Sequence, residues 1–130
     1  MYRKSIIIFF IILFAFGCIG CAETQKKEIS DKKRAEALQN LGASYVREGK
    51  LREGLRNLHQ AVKLDPNNAE LHNQIALVYM DLAEYEASLR HFKRALALKP
   101  RFPEVHNNMG NLYLLLGKWD PAIASYQKAV

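Results

Sequence analysis

Apolar residues recur along this chain every three or four positions, and the blocks they form recur every 34 residues. In the stretch from Leu71 to Leu82 the apolar positions are Leu71, Ile75, Val78, Tyr79 and Leu82, at i, i+4, i+7, i+8 and i+11. These share one face of a helix with 3.6 residues per turn, so the spacing predicts a helix with that face in a core. A second amphipathic run follows through Ala87, Leu89, Phe92, Ala95, Leu96 and Leu98, and it must stop at Lys99-Pro100, because proline disfavours helix at the residue before it.

Shifting the sequence by one period aligns Leu41, Ile75 and Met109; Gly42, Ala76 and Gly110; Tyr45, Tyr79 and Tyr113; Leu58, Phe92 and Tyr126; and Ala61, Ala95 and Ala129. Pro66 and Pro100 keep the same interval. A fixed period of this size marks a repeat array, in which each unit needs neighbours to bury its apolar face. The Gly42, Ala76, Gly110 column lets a bulky side chain of the paired helix approach the backbone. Gly49 and Gly117 are placed to end the first helix of their repeats in a left-handed C-cap. Ala83 holds that position in the middle repeat, where the turn must be made without glycine.

These residues resemble the tetratricopeptide repeat, whose signature runs W-x2-L-G-x2-Y and then Ala, Phe, Ala and Pro at set intervals. Gly42 with Tyr45, Ala76 with Tyr79 and Gly110 with Tyr113 stand on its Gly and Tyr, from about Ala35 to Val130. Leu38, His72 and His106 replace the tryptophan, and Gly54 and Ser88 stand where Ala122 has the usual alanine. The resemblance implies an all-α solenoid of antiparallel helix pairs over residues 34–130, in repeats 35–68, 69–102 and 103–130, the last incomplete.

The N-terminus follows a different pattern. Arg3 and Lys4 precede an uncharged apolar run from Ile6 to Phe16, and a small-residue stretch from Gly17 to Cys21 follows, as in a secretory signal over residues 1–20. The run falls short of the ~20 apolar residues that span a bilayer. Its end resembles the lipobox of bacterial lipoproteins, which implies lipid attachment at Cys21, with Cys18 as the alternative. Several acyl chains at about 0.8 kcal/mol per buried methylene would anchor the protein in a membrane without a spanning helix. Residues 21–33 are polar, carry charges of both signs and lack apolar periodicity, so they read as a flexible tether, with Ser30 or Asp31 capping the first helix. The Ala22-Glu23 pair after the cysteine lacks the aspartate of inner-membrane retention, and the resemblance implies an outer-membrane protein facing the periplasm.

Charge changes this picture little. The chain carries 19 basic and 13 acidic residues, a net +6; without residues 1–20, which hold two basic and no acidic residues, it has 17 against 13, a net +4. The basic residues are dispersed and no aromatic platform interleaves them, which argues against a nucleic-acid partner. Cys18-Ile19-Gly20-Cys21 has C-x-x-C spacing, but it lies in the apolar signal and has no second pair to complete a tetrahedral metal site. His59, His72, His91 and His106 form no H-E-x-x-H, and repeat packing accounts for the spacing of His72 and His106. Gly42 to Lys50 and Gly110 to Lys118 miss the spacing of a phosphate loop. No metal, cofactor or catalytic set is expected, and the chain reads as a non-enzyme.

What remains is a surface. The resemblance implies that the first helices line a concave groove for a protein partner, and stepping by the period builds its columns: Gln39, Asn73 and Asn107; Asn40, Gln74 and Asn108; Ala43, Leu77 and Asn111; Val46, Met80 and Leu114; with Arg47 and Asp81 beside them. The amides offer donor and acceptor to a peptide backbone, and the apolar column favours a helix or an extended apolar peptide. The lysine and asparagine clamp with which some relatives hold chaperone tails is absent, since Gln39, Ala43, Gln74, Glu104 and Asn108 occupy the comparable sites. Trp119, Ile123, Tyr126 and Val130 leave an apolar face on the final helix, expected to meet either further chain or another subunit. In layout the chain most resembles pilotin-type lipoproteins, which carry a secretin subunit in type IV pilus assembly. The alternative is the substrate-recruiting arm of a longer cell-wall enzyme.

Overall fold

In the structure, a computed structural model, backbone is described for residues 2–130 and side chains from Glu23 onward. The signal segment and both candidate lipidation cysteines, Cys18 and Cys21, lie outside the residues whose side chains are described. The elements are α-helices with no strand among the described residues: α1 (Tyr2–Arg47), α2 (Leu51–Leu64), α3 (Ala69–Asp81), α4 (Tyr85–Leu98), α5 (Pro103–Leu115) and α6 (Trp119–Lys128). Two compact units are present, Met1–Lys33 and Arg34–Val130. Among the described residues no helix is long and apolar enough to cross a membrane.

One difference from the sequence reading concerns residues 23–33, read as a flexible tether. They are helical, and Ser30 and Asp31 lie inside α1 rather than at its start. The segment has no apolar stripe because it has no core to face. Its residue types still favour helix, and the Glu28–Lys32 ion pair at 2.8 Å joins successive turns, the i, i+4 spacing that supports an exposed helix.

In the second unit the helices pair within repeats, α3 with α4 and α5 with α6, and the repeats stack through α2 on α3 and α4 on α5. Two apolar clusters result. One gathers Leu55, Leu58, Leu71, Ile75 and Val78; the other gathers Phe92, Ala95, Phe102, Val105, Met109 and Leu112. The small-residue column works as its spacing predicts. A Cβ on Gly42 would lie 3.0 Å from both the Gly54 carbonyl oxygen and Leu58 Cγ, and one on Gly110 would lie 2.5 Å from the Tyr126 ring. Gly54 departs from the signature alanine for the same reason. Its Cβ would meet Val46 Cγ2 at 2.6 Å and the Gly42 carbonyl at 2.9 Å, so α1 and α2 touch backbone to backbone.

All three repeats turn alike. Gly49 and Gly117 have φ of 76° and 69°, and Ala83 adopts the same left-handed conformation at 59°. Each turn closes with the same pair of hydrogen bonds: Lys50 N to Tyr45 O, Glu84 N to Tyr79 O and Lys118 N to Tyr113 O at 2.8–2.9 Å, beside Gly49 N to Val46 O, Ala83 N to Met80 O and Gly117 N to Leu114 O. These bonds satisfy carbonyls that the helix end leaves free. They hold Ala83 in a conformation that costs an L-residue about 1–2 kcal/mol.

A candidate groove for a protein partner

The first helix of each repeat exposes a turn of residues away from its apolar stripe, and these turns make one face of the array. Between repeats one and two that face opens into a pocket of about 240 Å³, lined by Ala43, Val46, Arg47, Leu58, Gln74, Leu77, Val78 and Asp81. Its floor is aliphatic. Arg47 and Asp81 are exposed at the rim, placing opposite charges around an opening sized for one or two apolar side chains. Six of the residues predicted for the groove, Ala43, Val46, Arg47, Gln74, Leu77 and Asp81, therefore meet around a single pocket.

The amide columns divide. Asn40 and Asn107 are exposed, and Gln39, Gln74 and Asn108 are half-buried. Asn73, expected to face a ligand, is only 1% exposed. It accepts from Asn108 Nδ2 at 3.2 Å and donates to Glu104 Oε1 at 3.4 Å, so its amide fastens α3 to α5. The reason is that its helical angle lies beside the apolar stripe, where the next repeat covers it. Asn111, also counted as a groove residue, accepts the Tyr126 hydroxyl at 2.6 Å. Gln74 donates within its own helix to Glu70 at 3.4 Å, and its Oε1 is buried at the pocket without a protein partner. Met80 packs against the second apolar cluster, and Leu114 and Leu115 are exposed.

Electrostatics of the groove are mild, and the groups with depressed protonation lie elsewhere. The imidazoles of His59, His72 and His91 all fall below their ordinary pKa, chiefly through burial; His91 is brought down to about 4. Repeat spacing accounts for His72 and His106 but does not reveal that His59, His72 and His91 meet. Only the packing of both α2 and α4 on α3 brings residues from these different columns together.

This geometry defines a class first: a helical-repeat scaffold with a solvent-open groove. The family model described as TPR repeat matches residues 42–83 and 78–117, and the one described as Tetratricopeptide repeat matches residues 105–130. The chain belongs to the tetratricopeptide-repeat family. No curated protein sequence matches it. Among solved structures it is similar to MamA, at 23% identity and a TM-score of 0.71, covering 75% of this chain and 57% of MamA, so the chain spans little more than half of that protein. It is also similar to the second TPR of Spaghetti (RPAP3) bound to the HSP90 peptide SRMEEVD, at 21% identity and a TM-score of 0.72 over 77% of this chain and 93% of that one. The first TPR of Spaghetti, bound to the same peptide, matches at 22% identity and a TM-score of 0.73, covering 75% and 78%. These likenesses concern the fold.

Proposed function

We propose that this protein is a lipid-anchored envelope scaffold that holds a partner helix or extended peptide in the groove formed by α1, α3 and α5. The observation that carries the reading is the aliphatic pocket between repeats one and two, rimmed by Arg47 and Asp81. An apolar anchor side chain gains about 25 cal/mol per Å2 on leaving water there, and Gln74, whose Oε1 has no protein partner, is positioned to accept from a backbone N–H beside it. The similar Spaghetti domains are bound to the peptide SRMEEVD. Here the comparable positions carry amides, Ala43 and the acidic Glu104 with no lysine, which favours an apolar ligand over an acidic tail.

The signal-like segment and the lipobox resemblance at Cys21 support an outer-membrane location facing the periplasm. That layout supports a pilotin role toward a secretin of the type IV pilus. The test is affinity capture of the lipidated protein from its own envelope, beside an Asn40→Ala, Gln74→Ala, Asn108→Ala variant and an Ala43→Gln variant that fills the pocket. A secretin recovered with the native protein and lost with both variants supports the reading, with acyl mass on Cys21 as the check on the anchor. Recovery of cell-wall enzymes instead would overturn the pilotin role, and equal capture by all forms would overturn the groove.

A further inference from the structure

On the side of α3 away from the pocket, three imidazoles and a phenol come together from three helices. His59 Nε2 of α2 lies 3.0 Å from the Tyr79 hydroxyl of α3, and His72 Nδ1 of α3 lies 3.1 Å from His91 Nδ1 of α4. The rings also touch crosswise, with His91 centroids 5.7 Å from His59, 5.3 Å from His72 and 5.6 Å from Tyr79. At the second seam the equivalent His106 meets no such partner, and its Nε2 lies 3.2 Å from the Pro100 carbonyl oxygen. What is particular to the first seam is the addition of His59 and His91, whose columns otherwise hold Lys93 and Gln127, and Asn57 and Ser125.

The cluster has room for one proton between each pair of partners and no more. A His72–His91 contact through facing nitrogens needs one ring to donate and the other to accept. Whichever ring accepts, a further proton on its Nδ1 sets two donors against each other. The charged groups that act on the rings from the packed elements are Lys63 of α2, and Arg90 and Arg94 of α4, all positive. The ring nitrogens pair with one another and with Tyr79 instead of converging, and no group of three or more His, Cys, Asp or Glu among the described residues is placed to hold a metal ion.

We propose that the His59, His72, Tyr79 and His91 cluster is a proton-sensitive joint between repeats one and two, closed while its imidazoles are neutral and loosened when they are protonated. Burial and neighbouring cations hold all three pKa values below 6.5, His91 at about 4. The unfolded chain therefore binds more protons than the folded one over this window. Stability that is present above pH 6.5 is lost as pH falls through it, and the loss levels off near pH 4. Leu58 and Val78, the residues before His59 and Tyr79, line the pocket on the other side of the same seam. A joint that loosens there also deforms the pocket, a consequence that rests on the groove reading, whereas the joint itself does not.

The test compares the full chain with a His59→Gln, His91→Asn double variant, whose new residues are those already tolerated in equivalent columns. Thermal midpoints between pH 7.5 and 4 and imidazole nitrogen spectra are recorded for both. The native protein should lose about 5 °C more than the variant on acidification, with the His91 ring titrating near pH 4 and amides at the α2–α3 seam exchanging faster than in the variant at pH 5. Parallel pH curves for the two proteins, or a His91 ring titrating at 6.5 or above, would overturn the proposal. If the joint holds but binding proves independent of the groove, only the consequence for the pocket fails.

Discussion

The two seams of the array join equivalent helices by different chemistry. Where α2 meets α3, the chain enters α3 through Asn68, whose side chain accepts from Glu70 N and Leu71 N at 3.1 and 3.3 Å, and imidazoles fill the outer side. Where α4 meets α5, the equivalent residue is Phe102, buried in the second apolar cluster, followed by Pro103 in the first turn and covered by the Lys99 ammonium 4.2 Å above its ring. The first helix start is fixed by a polar cap, the second by a hydrophobic anchor and a preset φ. One position thus serves the same structural end by two mechanisms, with different sensitivities to mutation.

The sharpest way to break the contrast is Phe102→Ala. It should destabilise the array by about 3 kcal/mol in urea unfolding, the usual cost of emptying a buried aromatic site. The matching change at the first seam, Asn68→Ala, should cost about 1 kcal/mol, a lost cap. Equal losses would show that the seams do not differ as described. The smallest effect is a gain. Ala83→Gly relieves a left-handed alanine but loosens the unfolded chain, for a net stabilisation of about 0.5–1 kcal/mol; a loss on calorimetry would mean that the Ala83 methyl makes contacts outweighing the backbone strain.

Much of this was legible in the sequence because the repeat supplies its own alignment. The helices from α2 onward, the Gly42, Ala76, Gly110 column and the turns at Gly49 and Gly117 follow from periodicity and steric need. Asn73 was misread because a helical period gives an angle and not a neighbour. Its position is covered only because α5 brings Asn108 and Glu104 to it. Helix over residues 23–33 was missed since apolar periodicity reports burial, and a charged helix has none. Ala83 showed where glycine was lacking without showing that alanine would take up the glycine conformation. The histidine cluster was invisible for a related reason: His59 and His91 occupy different columns, and only helix packing makes them neighbours.

Asn73 also has a mechanical meaning. It stitches repeat two to repeat three through side chains of both, while at the preceding seam Gln74, the counterpart of Asn108, turns back to Glu70 on its own helix and leaves its oxygen without a protein partner. The amide bonds thus lace repeat three to repeat two along the groove side of α3, whereas repeat one is joined to repeat two by a ring-to-phenol bond on the opposite side, between His59 and Tyr79.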